Sequence, residues 1–217
     1  MKGYSVSKCL LTKPVRENGG IQMVRMKKDE RRRQLADLTL DIIYRKGLRR
    51  FTVAELAAAA NISEGTVFRH FKSKEEIVEA SISRMEEVLF HEFPPKDPDP
   101  VNRLGVFFRE RLRLVTRNPS VAGLVFSEQL IHAAGKTGES RIMEMRKRSR
   151  EFVYSCLHEA AEGDLLVNGI NVMHLFFVVH GALSSMVSVL LKKGGNVALV
   201  PPKPQEMWEF VEKLIRR

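Results

Sequence analysis

TVAELAAAANISEGTVFRHFKSKEEIV, residues 52 to 78, decides the fold. Thr52 is a good helix N-cap, and Glu55 three places later completes a capping box. Val53, Leu56, Ala57 and Ala60 follow at helical spacing, and the alanines let a neighbouring helix approach closely. Asn61-Ile62-Ser63 then breaks the helix. Asn tolerates the left-handed backbone of a tight turn, Ile62 plugs the gap between the helices, and Ser63 caps the next one. The spacing predicts that second helix over Glu64 to Phe71, and Ser73 with Glu76 forms another capping box that opens a third. Taken alone, the pattern fits a helix-turn-helix and an ordinary helical hairpin equally.

The second helix carries the chemistry. Val67 and Phe71 are four apart and share one face, which is assigned to the core. Gly65, Thr66, Arg69 and His70 fall around the outward side. A first turn as small as Glu64-Gly65-Thr66 lets a helix sink into the major groove of DNA. Thr52, at the start of the preceding helix, is placed to hold a phosphate. Arg69 can offer guanine a bidentate pair.

Residues 31 to 80 resemble the N-terminal domain of the TetR/AcrR family of bacterial transcriptional regulators. The matching text is FTVAELAAAANISEGTVFRHFKSKEEI, preceded by the helix RRRQLADLTLDIIYRKG. Its element TVFRHFKSKEE runs past the helix-turn-helix into the next helix. The resemblance implies an all-α homodimer, not an enzyme, with a small DNA-binding head and a larger C-terminal ligand-binding and dimerisation domain. It implies a phosphate contact for Thr52 and base or backbone contacts for Ser63, Gly65 and Thr66, with Glu64 in the same first turn. Phe68 and His70 lie along the sugar-phosphate wall, and Lys74 pairs with a phosphate. Phe68 stands where the family usually has Tyr, so one hydroxyl contact is absent. Asn61 stands where Gly is common.

Composition points the same way. The formal charge of +10 favours a polyanionic partner, nucleic acid or an acidic membrane surface. The cations concentrate early, from Arg25 through Arg33 and again from Arg45 to Arg50, although a solvated basic face gives the same count. Cys9 and Cys156 are too few and too far apart for a disulfide framework or a zinc site. They fit a reducing cytoplasm. Strands find little support, since no hairpin turn is seen between alternating runs.

The chain is divided at composition breaks. Residues 1–24 are expected to be a disordered extension, broken by Pro14, Gly19 and Gly20. Met1, Met23 and Met26 are all candidate starts, and an arm reaching the minor groove is the functional alternative. Residues 25–73 form the helix-turn-helix domain, with a first helix from about Lys28 to Arg45 that Gly47 stops. Residues 74–93 form a linking helix that any signal to the head must move. Pro94-Pro95-Lys96-Asp97-Pro98-Asp99-Pro100 ends it, and 94–217 is the ligand-binding and dimerisation domain.

Further helices are expected from Asp99-Pro100 to Arg117, from Asn118-Pro119 to Ala133, and from Glu139 to Ala161 after a loop over Gly135 to Gly138. Residues 170–191, INVMHLFFVVHGALSSMVSVLL, are the most apolar. Their length allows a membrane span, but His174, His180, Asn171 and the serines oppose it, so no membrane partner is assigned. A helix apolar all round is buried on all sides, here by its own core and by a partner subunit. With the last helix, from Pro204, it suits a four-helix dimer interface.

No phosphate-binding glycine loop, nucleophile elbow or metal-ligand pair is found, so no catalytic residue, metal or cofactor is assigned. The expected function is a ligand-responsive regulator, a repressor, that binds a palindromic operator as a dimer. Its release follows from a small, apolar effector in a pocket lined by Phe107, Phe108, Phe126, Gln129, Phe152, His174 and Phe177, with Arg146 holding any anionic head group. The alternative is a constitutive DNA-organising protein without an effector.

Overall fold

The computed structural model describes residues 12–17, 20–25, 27–126, 135–191 and 200–217. The chain divides into two compact units, Met1–Met85 with Glu128–Glu139, and Glu86–Ser127 with Ser140–Arg217. Both units are helical, as expected.

The first unit begins with a departure. An antiparallel ribbon pairs β1 (Thr12–Glu17) with β2 (Gly20–Arg25), with Glu17 opposite Gly20. Residues 1–24 had been expected to form no regular structure. A signal was in the sequence, since an Asn-Gly dipeptide, here Asn18-Gly19, favours a hairpin between the runs that flank it.

α1 (Lys28–Lys46) follows and ends at Gly47, whose φ of 83° is a conformation that suits glycine. Leu35, Ala36, Ile42 and Ile43 bury its inner face. A 3-10 turn (Leu48–Arg50) leads to α2 (Val53–Ala60), α3 (Glu64–Phe68) and α4 (Lys74–Leu89). Phe51, Leu56, Ala60, Val67, Phe71 and Ile77 are almost wholly buried and make the core of the head.

α4 is shared. Its residues through Met85 belong to the first unit, and those from Glu86 belong to the second. The unit boundary thus falls inside the stretch 74–93 that was read as a linking helix. Ile77, Ile82 and Met85 bury themselves in the head, while Arg141 pairs with Glu86 at 2.9 Å in the second unit.

In the second unit, α5 (Pro100–Arg117) opens with Asp99 as its cap, accepting from the Val101 and Asn102 amides at 2.7 and 3.2 Å. α6 (Pro119–Val125), α7 (Gly135–Glu162), α8 (Val172–Leu191) and α9 (Pro204–Ile215) complete the described helices. α7 starts four residues ahead of expectation: Gly135 to Gly138, read as a loop because of its glycines, forms the first turn, and Gly135 takes the positive φ at its start.

Gly105 lets two helices of this unit approach closely. A Cβ there would lie 2.5 Å from Nε1 of Trp208, so only glycine lets the indole seat against α5. Trp208 then stacks at a tilt on Phe108, with ring centroids 5.6 Å apart, and both rings are fully buried. Arg216 closes the same end, donating to Asp99 at 2.9 Å and to Glu212 at 2.8 Å.

Candidate nucleic-acid interface

Three side-chain caps build the head's exposed edge. Thr52 Oγ1 accepts from the Glu55 amide at 3.2 Å and starts α2. Ser63 Oγ accepts from the Thr66 amide at 3.1 Å and starts α3, and the two hydroxyls of Ser63 and Thr66 lie 3.0 Å apart. Ser73 Oγ accepts from the Glu76 amide at 3.2 Å near the start of α4. Each cap satisfies an amide that the helix end leaves without a partner. Between α2 and α3, Asn61 adopts φ 53° and ψ 48°, the left-handed turn read from its residue type.

α3 is shorter than expected, ending at Phe68 rather than Phe71, with Arg69 still helical in φ and ψ. Val67 and Phe71 are buried as assigned. That anchoring brings Ser63, Glu64, Gly65, Phe68 and Arg69 to the surface, with Thr66 and His70 half-buried beside them. Thr52 is also exposed. Lys74 is half-buried, and its ammonium lies 5.6 Å from the centroid of the Phe51 ring, so it rests on an aromatic face as well as on the edge of the head.

Sequence reasoning missed the residue that holds this edge in place. Arg32, counted there only among the basic residues, lies 4.3 Å over the Phe71 ring. Its guanidinium donates to the His70 carbonyl and to Glu76 Oε1, the latter at 2.9 Å. Glu76 Oε2 in turn accepts from the Lys72 amide at 2.5 Å. One arginine from α1 therefore ties the end of the recognition segment to the first turn of α4. Its partners stand 38 and 44 positions away in the sequence, beyond the reach of any periodicity.

His70 sits in a field of like charge. Burial, and then Arg31, Arg32, Arg69 and Lys28, hold its pKa below the ordinary imidazole value. It is therefore neutral at pH 7 and available as a hydrogen-bond donor or acceptor.

The sequence model described as bacterial regulatory proteins of the tetR family matches residues 35–81, which include α2, the turn at Asn61 and α3. The head is a TetR-family domain. Among sequence relatives, the uncharacterized HTH-type transcriptional regulator YvkB of Bacillus subtilis is 40% identical over 52 residues, which is 24% of this chain and 28% of that protein. The chain thus spans less than a third of that relative's length. In fold, it is similar to the ketosteroid transcriptional regulator KstR2 of Mycobacterium tuberculosis, with a TM-score of 0.67, 20% identity, and 86% and 95% of the two chains covered. It is also similar to AibR, solved in complex with isovaleryl coenzyme A and operator DNA, with a TM-score of 0.63, 19% identity, and 85% and 97% covered. These relatives are named as regulators and not as enzymes.

Beyond the TetR head, the residues expected to line an effector pocket are brought together only in part. Phe107 and Phe152 do meet, at 5.0 Å between ring centroids, with Phe93 5.0 Å from Phe152. Phe108 instead packs on Trp208. Phe126 and Phe177 are 46% and 66% exposed, and His174 is exposed too. Arg146 is turned to the end of α6, donating to the Val125 carbonyl at 2.6 Å. Gln129 lies outside the described residues. Helix phase explains the correction: α8 buries Leu175, Val179, Leu183 and Met186, three or four apart, and this leaves His174 and Phe177 on another face. A cleft of about 600 Å³ is found instead within the first unit, between the start of α4 (Lys74, Val78, Ile82) and the first turn of α7.

Proposed function

We infer that this chain is a transcriptional repressor that binds a palindromic operator as a homodimer and lets go when a small acyl ligand occupies its second unit. The observation that carries the DNA half is the recognition segment. Val67 and Phe71 are anchored in the core, and Gly65, Phe68 and Arg69 are left at the surface of a head that matches the TetR family. The small first turn permits groove entry, and Arg69 supplies a guanine-reading fork. Thr52 and Lys74 serve the phosphates.

The dimer half rests on α8 and α9. Phe177, Val178 and Met173 on α8, with Phe210 and Leu214 on α9, are 45–66% exposed in the single chain. An apolar surface of that kind marks an interaction site. α8 is also the one described helix long and apolar enough to cross a membrane. Its other face is already committed to the core through Leu175, Val179 and Leu183, which favours a subunit partner over lipid. A homodimer formed through such a face carries two recognition segments, as many as a palindromic operator has half-sites. The effector class follows AibR, named in complex with an acyl coenzyme A and operator DNA. An effector releases the operator only by preferring the released state, and a near-complete switch needs roughly 5 kcal/mol of preference.

Selection of purified protein against a random-sequence DNA pool at moderate salt tests this. Enrichment of a palindrome supports the regulator. Salt-sensitive binding without an enriched sequence supports a DNA-organising protein instead. Absence of binding overturns both.

A further inference from the structure

The arginines of the second unit differ in their partners. Arg103, Arg113, Arg141 and Arg216 each pair with a carboxylate, Glu159, Glu110, Glu86 and Asp99 respectively. Arg111 and Arg148 do not. Arg111 donates to the Leu89 carbonyl at 2.7 Å and to Ser149 Oγ at 3.4 Å, both neutral acceptors. Its guanidinium lies 5.1 Å from the Phe90 centroid and 4.8 Å from the Phe107 centroid. Arg148 lies 4.1 Å over the same Phe90 ring and 5.1 Å from Phe93. Two cations thus converge on one aromatic ring, and among the described residues neither is paired with a carboxylate.

Aromatic faces and neutral acceptors do not cancel that charge. Burial, and then the neighbouring charge of Arg148, pull the Arg111 pKa down to about 10. A guanidinium depressed that far is held where an anion would be strongly welcome. Arg148 is exposed, so the pair can be reached from solvent. Phe93, Phe107 and Phe152 stand together directly behind it, at 5.0 and 6.1 Å between centroids. Two guanidinium groups and a cluster of aromatic rings therefore meet at one place.

We propose that Arg111 and Arg148 bind the anionic head group, carboxylate or phosphate, of an acyl effector whose chain lies against the Phe93–Phe107–Phe152 rings. This rests on the effector-responsive function inferred above and gives the head-group role to Arg111 and Arg148. Guanidinium forks match both oxyanions in bidentate geometry. The Leu89 carbonyl ends α4, where a backbone acceptor has no helical partner. An arriving anion competes with that carbonyl for Arg111, so occupancy is communicated to the end of the shared helix.

The test titrates the full chain calorimetrically with octanoate, octanoyl coenzyme A, coenzyme A alone and uncharged methyl octanoate. Arg148→Gln is the main variant, Arg111→Lys a charge-conserving one, and Arg150→Gln a control on the same helix. Thermal melts confirm that each is folded. Binding of one or both acyl anions is expected, weakened tenfold or more by Arg148→Gln and by Arg111→Lys, but not by Arg150→Gln. Octanoate alone identifies a carboxylate site, and octanoyl coenzyme A alone identifies a phosphate site. Binding that is equal in wild type and Arg148→Gln, or that falls equally in Arg150→Gln, overturns the site, as does binding of neither anion to wild type. Release of the selected operator is read separately. Acyl anions that bind through Arg148 without releasing DNA leave the site standing and refute the effector function. Release that ignores both arginines does the reverse.

Discussion

Phe68 and Phe177 are both exposed phenylalanines, at 47% and 66%, and they are exposed for different reasons. Phe68 stands on a short capped helix among Gly65, Arg69 and the half-buried His70, on the basic side of the head. Its surroundings are polar, as the proposed DNA-facing edge requires. Phe177 stands on a long helix beside Met173 and Val178, which are each 45% exposed. Its surroundings are apolar, as the proposed subunit interface requires. An exposed aromatic is therefore read by its neighbours rather than by its own exposure.

The comparison is broken most severely by charging the second face. Phe177→Asp combined with Phe210→Asp should convert the dimer to a monomer in sedimentation. Operator affinity should drop by roughly two orders of magnitude, because the second half-site loses its tether. The circular dichroism spectrum should stay helical. A double variant that remains dimeric removes α8 and α9 from the interface.

Next in size is Gly105→Ala. The added methyl meets the buried indole of Trp208 at 2.5 Å, and overpacking of this kind costs about 1–3 kcal/mol. A lowered melting temperature is the measurement. DNA affinity per folded dimer should hold, because Gly105 and Trp208 lie outside the head and Trp208 is on the buried side of α9.

Arg32→Lys sharpens the contrast inside the head. Lysine keeps the charge but loses the fork that spans the His70 carbonyl and Glu76, and most of the stacking on Phe71. About 1 kcal/mol of stability should go with it. Discrimination between operator and random DNA should narrow while the salt dependence of binding stays the same, since no phosphate contact is removed. Lys74→Ala should show the complementary result, with the salt slope reduced by about one. A changed slope in Arg32→Lys makes Arg32 a phosphate contact instead of a clamp.

The contrast between the units also explains what was legible in the sequence. In the head, structure is local. The caps at Thr52, Ser63 and Ser73 reach three residues forward, and the turn at Asn61 is set by one residue's tolerance of positive φ, so spacing alone placed them. The clamp by Arg32 was not legible, because it joins residues far apart in the chain. In the second unit, the helices were placed by their apolar period, but the pocket was not. Phe107 and Phe108 are adjacent in sequence, yet one meets Phe152 and the other Trp208. Their division depends on helix rotation and on which partner arrives, and neither is written in local spacing. At the N-terminus, weight given to Pro14 and the glycines hid Asn18-Gly19 between two six-residue strands.

The smallest effect is one of pH, and it separates two histidines in the same way. His70 is held below its ordinary value of 6.5 by burial and by four cations of the head. His180, stacked on Phe176 at 5.3 Å, is lowered by burial and by Arg150. For both, the unfolded chain takes up its proton first as pH falls. Their share of stability is complete above the ordinary value and is lost as pH drops toward the folded one. His70→Gln and His180→Gln should each flatten the acid side of a stability curve slightly. Only one should alter DNA binding. Phosphates brought beside His70 oppose its four cations and raise its pKa, so the complex takes up a proton and operator binding tightens from about pH 7.5 to about pH 6. His70→Gln should abolish that pH dependence, and His180→Gln should leave it intact. Equal pH dependence in wild type and His70→Gln would move His70 off the phosphate wall and leave Phe68 and Arg69 to define the edge.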